Sequence, residues 1–319
     1  MTGPSALAIG VDIGGTKVAA AVVDAAGRVL RHEQRRTPAA RPDSIRDVVV
    51  DLVGELTRSH PVAAVGVGAA GWIDADRSVV RYAPNLAWRD EPLRDLLAAA
   101  LGLPVVVEND ANAAAWAEFR FGAARQAAHS MVLLTVGTGI GSGIVVGGEL
   151  VRGGHGMAGE IGHTRAVPDG LPCGCGRRGC LEQYASGTAL VRLAREAVAQ
   201  QPEPSGVLME LAGGDPERID GPMVTRAARA GDKVARSAFD EVGRWLGAGL
   251  ADVVAVLDPE VLVLGGGVVA AGELLLAPVR EAYRRSLERR GQFPVAPVTA
   301  ASLGPLAGVI GAADLVRRR

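Results

Sequence analysis

The sequence predicts an α/β protein. Strand-like and helix-like segments alternate along 319 residues, and the apolar runs end in clusters of glycine or polar residues. A strand, a Gly-Thr turn and a returning strand also occur near residue 7 and again near residue 131. A chain of this length buries a sizeable core, as one large domain or two smaller ones. With 48% hydrophobic and 22% charged residues it reads as folded rather than disordered.

Leu7–Ile13 is an apolar run that stops at Gly14-Gly15, and Ala19–Asp24 follows at once. This spacing makes a β-hairpin, because a βαβ crossover needs a longer connection. From Ser44 to Thr57, apolar residues at Ile45, Val48, Val49, Leu52, Val53 and Leu56 follow helical spacing, with Ser44 a candidate N-cap. Val62–Gly68 reads as a buried strand. Val105–Val107 is another, and it feeds Glu108-Asn109-Asp110 and a helix over Ala111–Phe121. Met131–Val136 ends in Gly137-Thr138-Gly139-Ile140-Gly141, Ile144–Val146 returns, and Gly147-Gly148 turns the chain. The recurrence reads as an internal duplication and points to two similar domains. Gln201–Gly221 reads as a surface loop. Asp232–Leu257 is a long helical pattern, and Val261–Leu264 is a buried strand ending in Gly265-Gly266-Gly267. Glu273–Glu288 and Leu306–Arg318 are further helices. A smaller α/β domain over 1–119 and a larger one over 120–304 are expected, with a hinge near 119–130.

The net charge of -1 offers no basic footprint for nucleic acid and no polybasic segment for a membrane. Leu250–Val269, the most apolar region, is broken by Asp252, Asp258, Pro259 and Glu260, so no transmembrane helix is expected. The first residues lack a basic region followed by a long apolar stretch, and a cytoplasmic location is expected.

Three segments carry chemistry. Asp12-Ile13-Gly14-Gly15-Thr16-Lys17 sets two glycines, a hydroxyl and a cation between strands, where free N–H groups can cradle phosphate. Asp12 could hold Mg²⁺ through water. Gly137, Thr138 and Gly139 offer the same chemistry a second time, although both turns could be plain hairpins. Gly265, Gly266 and Gly267 could let a purine or ribose lie flat on the backbone, or could serve only as a strand-to-helix turn. Walker A spacing is absent, and no G-x-G-x-x-G follows the first strand. Asp110 leaves a strand end, where ligands of open α/β sheets lie, and suits a general base; it could equally be the N-cap of the following helix. His163, Cys173, Cys175 and Cys180 form a nitrogen and three-sulfur set with C-x-C-G-x-x-G-C spacing. Such a set suits a closed, structural zinc site. That site would pin the loop carrying Glu160, His163 and Glu182.

These segments resemble the ROK family (repressor, open reading frame, kinase) of sugar kinases and regulators. Five motifs carry the resemblance over nearly the whole chain: residues 12–17, Glu108–Asn112, Thr135–Gly141, Gly159–His163 and Cys173–Glu182. It is strongest toward the bacterial, particularly actinobacterial, glucose-phosphorylating branch, through the segment Cys173–Gly187. The resemblance implies an actin-like ATPase (ribonuclease H-like) fold with two α/β domains, a central cleft and a last helix, 305–319, that completes the first domain. It implies ATP-dependent transfer to the 6-hydroxyl of a hexose, glucose first, with fructose, N-acetylmannosamine and N-acetylglucosamine as alternatives. Asn109, Asp110, Glu160, His163 and Glu182 would hold the sugar, with Gly71 and Asn85 on the opposite wall. Asp12, Gly14, Gly15, Thr16, Lys17 and the two later glycine turns would hold ATP with Mg²⁺. A homodimer or homotetramer is implied. A sugar-responsive regulator is the alternative of a different class, disfavoured because about eleven residues precede Asp12. Arg177 stands where Asn is common in relatives, and Leu181 where Trp is common.

Overall fold

Small and β-branched residues dominate Ala8–Ile13 (β1) and Lys17–Val23 (β2), and the two pair antiparallel as the expected hairpin. The computed structural model describes residues 7–38, 41–83, 86–127, 129–200, 206–288 and 294–318. Val29–Arg36 (β3), a polar edge strand, pairs with β2. Val65–Ala69 (β4) and Val105–Asn109 (β8) run parallel to β1, giving a five-stranded sheet in the order β3-β2-β1-β4-β8. A small sheet, Trp72–Ile73 (β5), Val80–Ala83 (β6) and Trp88–Glu91 (β7), lies in the β4–β8 connection. A second five-stranded sheet combines Met131–Val136 (β9), Ile140–Val146 (β10), Glu149–Leu150 (β11), Val261–Gly265 (β12) and Val298–Ala300 (β13) in the order β11-β10-β9-β12-β13.

The chain divides into two compact units: Met1–Leu133 with Ser142–Gly159 and Ala301–Arg319, and Leu134–Gly141 with Glu160–Ala300. In the first, helices Pro42–Thr57 (α1) and Leu93–Leu101 (α2) cover one face of the sheet through Ile45, Val49, Leu52, Leu93 and Leu97. Asp110–Arg120 (α3) and Ala307–Arg317 (α10) cover the other. Glycine makes the second contact possible. A Cβ on Gly10 would overlap the Val309 carbonyl, and one on Gly66 the Ala312 carbonyl, so α10 lies directly on strand backbone. Trp116 Nε1 on α3 donates to Asp314 Oδ2 on α10 at 2.9 Å, satisfying a buried indole.

In the second unit, Glu182–Ala185 (α4), Gly187–Ala199 (α5), Val207–Leu211 (α6), Gly221–Arg229 (α7), Lys233–Leu257 (α8) and Glu273–Leu287 (α9) pack on one another, with α8 at their centre against α4, α5, α7 and α9. Gly243 and Gly247 let α8 meet α9 closely; a Cβ on Gly243 would stand 2.7 Å from Pro278.

Two local expectations need correction. Ser44 is not the N-cap of α1: Arg41 holds that position without a side-chain bond, and Pro42 opens the helix, where a missing N–H leaves no bond unmade. Within 201–221, read as a surface loop, the described residues form α6 and a 3-10 turn, Pro216–Arg218. Among the described residues no helix is long and apolar enough to cross a membrane.

Candidate active site

In the first unit the candidate side chains Asp12, Asn109 and Asp110 gather at the carboxyl ends of parallel strands, where ligands of α/β sheets collect. Asp12 on β1 lies in register with Gly68 on β4, and Gly68 with Glu108 on β8; Ala69 pairs with Asn109 one step further. Gly68 carries no side chain between the two acidic strand ends. Burial is the main force on both site aspartates. It pushes Asp110 above the ordinary carboxylate range, against the pull of the Ala111 N–H, which donates to Asp110 Oδ1 at 2.8 Å. It pushes Asp12 up to about 7, helped by the charge of Asp110 and opposed by Lys17. Two half-buried acids, each raised by burial and Asp12 further by the charge of Asp110, suit a cation.

Asp110 is not the helix cap. Asn109 holds that position, its Oδ1 accepting the Asn112 N–H at 3.0 Å. Its Nδ2 donates to the Gly71 carbonyl at 3.0 Å, so one N–H of Asn109 remains for a ligand. Gly71 sits at φ 137, where a Cβ would stand 2.5 Å from the Tyr82 carbonyl. Asn85 lies outside the described residues.

The first glycine turn closes with the Gly14 N–H on the Lys17 carbonyl at 3.0 Å, and Thr37 Oγ1 braces the Gly14 carbonyl at 2.7 Å. Gly15, Thr16 and Lys17 are exposed at its tip. Gly14, Gly137 and Gly139 do not adopt left-handed backbone. Their lack of a side chain therefore serves close approach rather than chain reversal.

In the second unit, the turn at Gly137 is held by α5: the Gly187 N–H donates to the Gly137 carbonyl at 2.7 Å, and Thr188 Oγ1 to the Thr138 carbonyl at 2.7 Å. Gly137, Thr138 and Gly267 line a cavity of about 1060 Å³ whose walls include Leu190, Ile219 and Val268. That volume suits a nucleotide-sized ligand. Of the later glycines only Gly267 lines the cavity. Gly265 is the buried end of β12, and Gly266, at φ 90, turns against the Val136 backbone.

His163, Cys173, Cys175 and Cys180 come together, their ligand atoms all within 4.8 Å of one another. The Cys175 and Cys180 sulfurs are 3.7 Å apart, and Cys173 Sγ is 3.6 Å from His163 Nδ1. A tetrahedron with metal–sulfur bonds of about 2.3 Å and metal–nitrogen bonds of about 2.0–2.1 Å has edges of roughly 3.8 and 3.6 Å. The residues therefore fit zinc. His163 Nδ1 faces the thiols while Nε2 turns to Glu160, 3.8 Å from its Oε2. Glu182 is a clasp: Oε1 lies 3.0 Å from Cys173 Sγ, and Oε2 accepts the Ile140 N–H at 3.4 Å above Gly139. Tyr184 OH accepts the Leu171 N–H at 2.8 Å, and its ring packs at a 39° tilt on Trp245 of α8, ring centroids 4.9 Å apart. Leu181 is buried against Gly249, while Arg177 is exposed on the loop tip.

Sequence reasoning passed over Glu108, Asn112 and Arg152, which bond to one another beneath the Asp110 turn. An acid at a buried strand position was the one available signal for Glu108.

A family model described as "ROK family" matches residues 8–319. A glucokinase of Streptomyces coelicolor is 49% identical over 311 residues, 98% of each chain. A solved ROK family glucokinase of Streptomyces griseus, in complex with glucose and AMPPNP, superposes with TM-score 0.90 at 50% identity, covering 98% of this chain and 100% of that one. A ROK hexokinase of Thermus thermophilus gives TM-score 0.80 at 39% identity over 96% of both chains. The fold is the actin-like ATPase fold. With its motifs, its thiol cluster and its full-length likeness in agreement, the chain belongs to the ROK family.

Proposed function

We propose that this protein is a glucokinase, transferring the γ-phosphate of ATP to the 6-hydroxyl of glucose. One observation carries the reading: the 50% identical Streptomyces griseus enzyme, which covers this chain almost completely, was solved with glucose and AMPPNP. The cavity beside Gly137, Thr138 and Gly267 takes the nucleotide, and the two Gly-Thr turns, exposed at Gly15, Thr16 and Thr138, take its phosphates. Asp12 is the carboxylate for Mg²⁺, which supplies charge neutralisation on the phosphates. Zinc supplies a rigid anchor for the loop, and His163, Cys173, Cys175 and Cys180 would hold it.

Asn109, Asp110, Glu160, His163 and Glu182 hold the sugar, with the Gly71 turn beside Asn109 rather than on an opposite wall. Asp110 accepts the hydroxyl proton as the oxygen attacks phosphorus. Its raised affinity for protons suits that task better than an ordinary carboxylate would. Positioning supplies most of the rate in such a transfer. Assembly as a homodimer or homotetramer in the cytoplasm belongs to the same reading, and light scattering tests the assembly.

The deciding experiment measures sugar 6-phosphate from glucose, fructose, N-acetylmannosamine and N-acetylglucosamine, each with ATP or polyphosphate. Glucose with ATP should give the highest kcat/KM. A higher value for another sugar or for polyphosphate would replace the assignment.

A further inference from the structure

The strand that delivers Asp110 carries a second acid, Glu108, that the proposed reaction does not use. Glu108 is 3% exposed. Its Oε1 accepts the Asn109 N–H and Asn112 Nδ2, each at 3.1 Å. Its Oε2 accepts Arg152 Nε at 2.7 Å, and Arg77 Nε stands 3.5 Å away. These three donors and the Arg77 charge come from three separate pieces of chain. Asn109 and Asn112 flank Asp110. Arg77 sits in the β5–β6 hairpin in left-handed backbone, φ 55, and its carbonyl accepts the Val107 N–H at 3.2 Å. Arg152 opens a loop that closes on itself where the Ala158 N–H donates to the Arg152 carbonyl at 3.0 Å. That loop presses on the hairpin, since a Cβ on Gly156 would stand 2.6 Å from the Asp74 backbone. It then runs into Gly159, whose carbonyl accepts Ser142 Oγ, and on in sequence to Glu160.

A buried carboxylate with a guanidinium partner is weak evidence for stability, because desolvating both charges offsets most of their attraction. It does impose geometry, because its acceptor directions are fixed once three donors bond to it and the Arg77 charge lies against it. Here that geometry joins the turn carrying the base to the loop that leads into the sugar-binding segment.

We propose that Glu108 is a positioning residue for phosphoryl transfer. Through Arg152 and Asn112 it holds the Asn109–Asp110 turn and the 152–158 loop in one register, so that Asp110 meets the sugar hydroxyl in line for attack. The inference rests on the glucokinase reading above. A misplacement of about 1 Å at a reacting group costs on the order of 10²-fold in rate.

The test compares the parent enzyme with Glu108→Gln, Arg152→Gln and the double variant. Glu108→Gln keeps the shape and one acceptor oxygen but removes the charge that Arg152 faces. Its kcat should fall roughly 10- to 100-fold and its glucose KM should rise several-fold, while the MgATP KM stays within about two-fold. Arg152→Gln alters a side chain that is 25% exposed, so it can be read even if Glu108→Gln does not fold. It should move the same parameters in the same direction. The double variant should be no worse than the poorer single one, since a shared interaction is lost once. Folded single variants with kcat and glucose KM within about two-fold of the parent would overturn the inference, as would additive losses or an equal rise in both KM values. A parent that phosphorylates glucose alongside indifferent variants sinks the role of Glu108 alone; a parent inert on glucose sinks the glucokinase reading with it.

Discussion

Replacing Asp12 with Asn should make the ligand-free protein more stable while destroying its activity, and the gain should depend on pH in a calculable way. Asp12 titrates near 7 in the folded protein, against an ordinary aspartate value of about 3.8, through burial first and the neighbouring Asp110 charge second. The folded value is raised, so below about 3.8 both states hold the proton and its contribution to stability is complete. Between about 3.8 and about 7 the unfolded chain sheds the proton while the folded chain keeps it, and stability falls. At about 1.4 kcal/mol for each pH unit the loss by neutral pH comes to about 4 kcal/mol. Asp12 is half-buried, and solvent at its edge trims that to roughly 2–4 kcal/mol. Asn has the same shape and never ionises. Its advantage should be near zero at pH 4, about 2 kcal/mol at pH 5.5 and complete by pH 8. Urea unfolding followed by circular dichroism, without nucleotide or Mg²⁺, measures the difference at each pH. On the Mg²⁺ role proposed for Asp12, turnover should collapse at every pH. A variant less stable than the parent at pH 8, or an advantage that does not change with pH, would refute the electrostatic account of this site.

Three further outcomes follow from the geometry. Asp110→Asn should bind glucose normally in calorimetry and lose several orders of magnitude in turnover; near-normal turnover would remove Asp110 as the base. The acid limb of kcat/KM in the parent should also lie above the usual carboxylate range, since burial raises Asp110 and the base works only when ionised. Cys180→Ser should lower bound zinc, measured by metal analysis, and weaken glucose binding, because the loop carrying Glu160, His163 and Glu182 loses its anchor; unchanged glucose affinity in the metal-poor protein would count against a zinc-pinned loop. Glu118→Ala strands the Ala123, Ser302 and Leu303 N–H groups that the fully buried Glu118 carboxylate accepts, and should cost about 3–5 kcal/mol in denaturant unfolding.

Much of the site was legible because its signals are local. The run from Val105 into Asp110 announces a buried strand feeding a helix, and the structure builds β8 and α3 there. The cysteine spacing predicts a four-ligand cluster, and the ligand atoms converge. The choice between cap and base for Asp110 was not legible. Both asparagine and aspartate cap helices, and only the backbone direction at residues 109–112 decides which one does. The edge strand β3 was also hidden, because the polar run Arg31–Arg36 resembles a loop until β2 is placed beside it.

By itself, then, the sequence determined the long buried strands, which turns are glycine-rich, and which four residues can bind zinc, since each depends on neighbours within about one turn or hairpin. The tertiary structure decided how those pieces support one another. Glu108 meets Arg152 across 44 residues, Glu118 meets Ser302 across 184, and Trp116 meets Asp314 across 198. Gly10 and Gly66 become necessary only once α10 lies on them. Such pairings depend on chain reversals and close packing between distant segments, and no local spacing encodes a contact whose partner arrives at the other end of the chain.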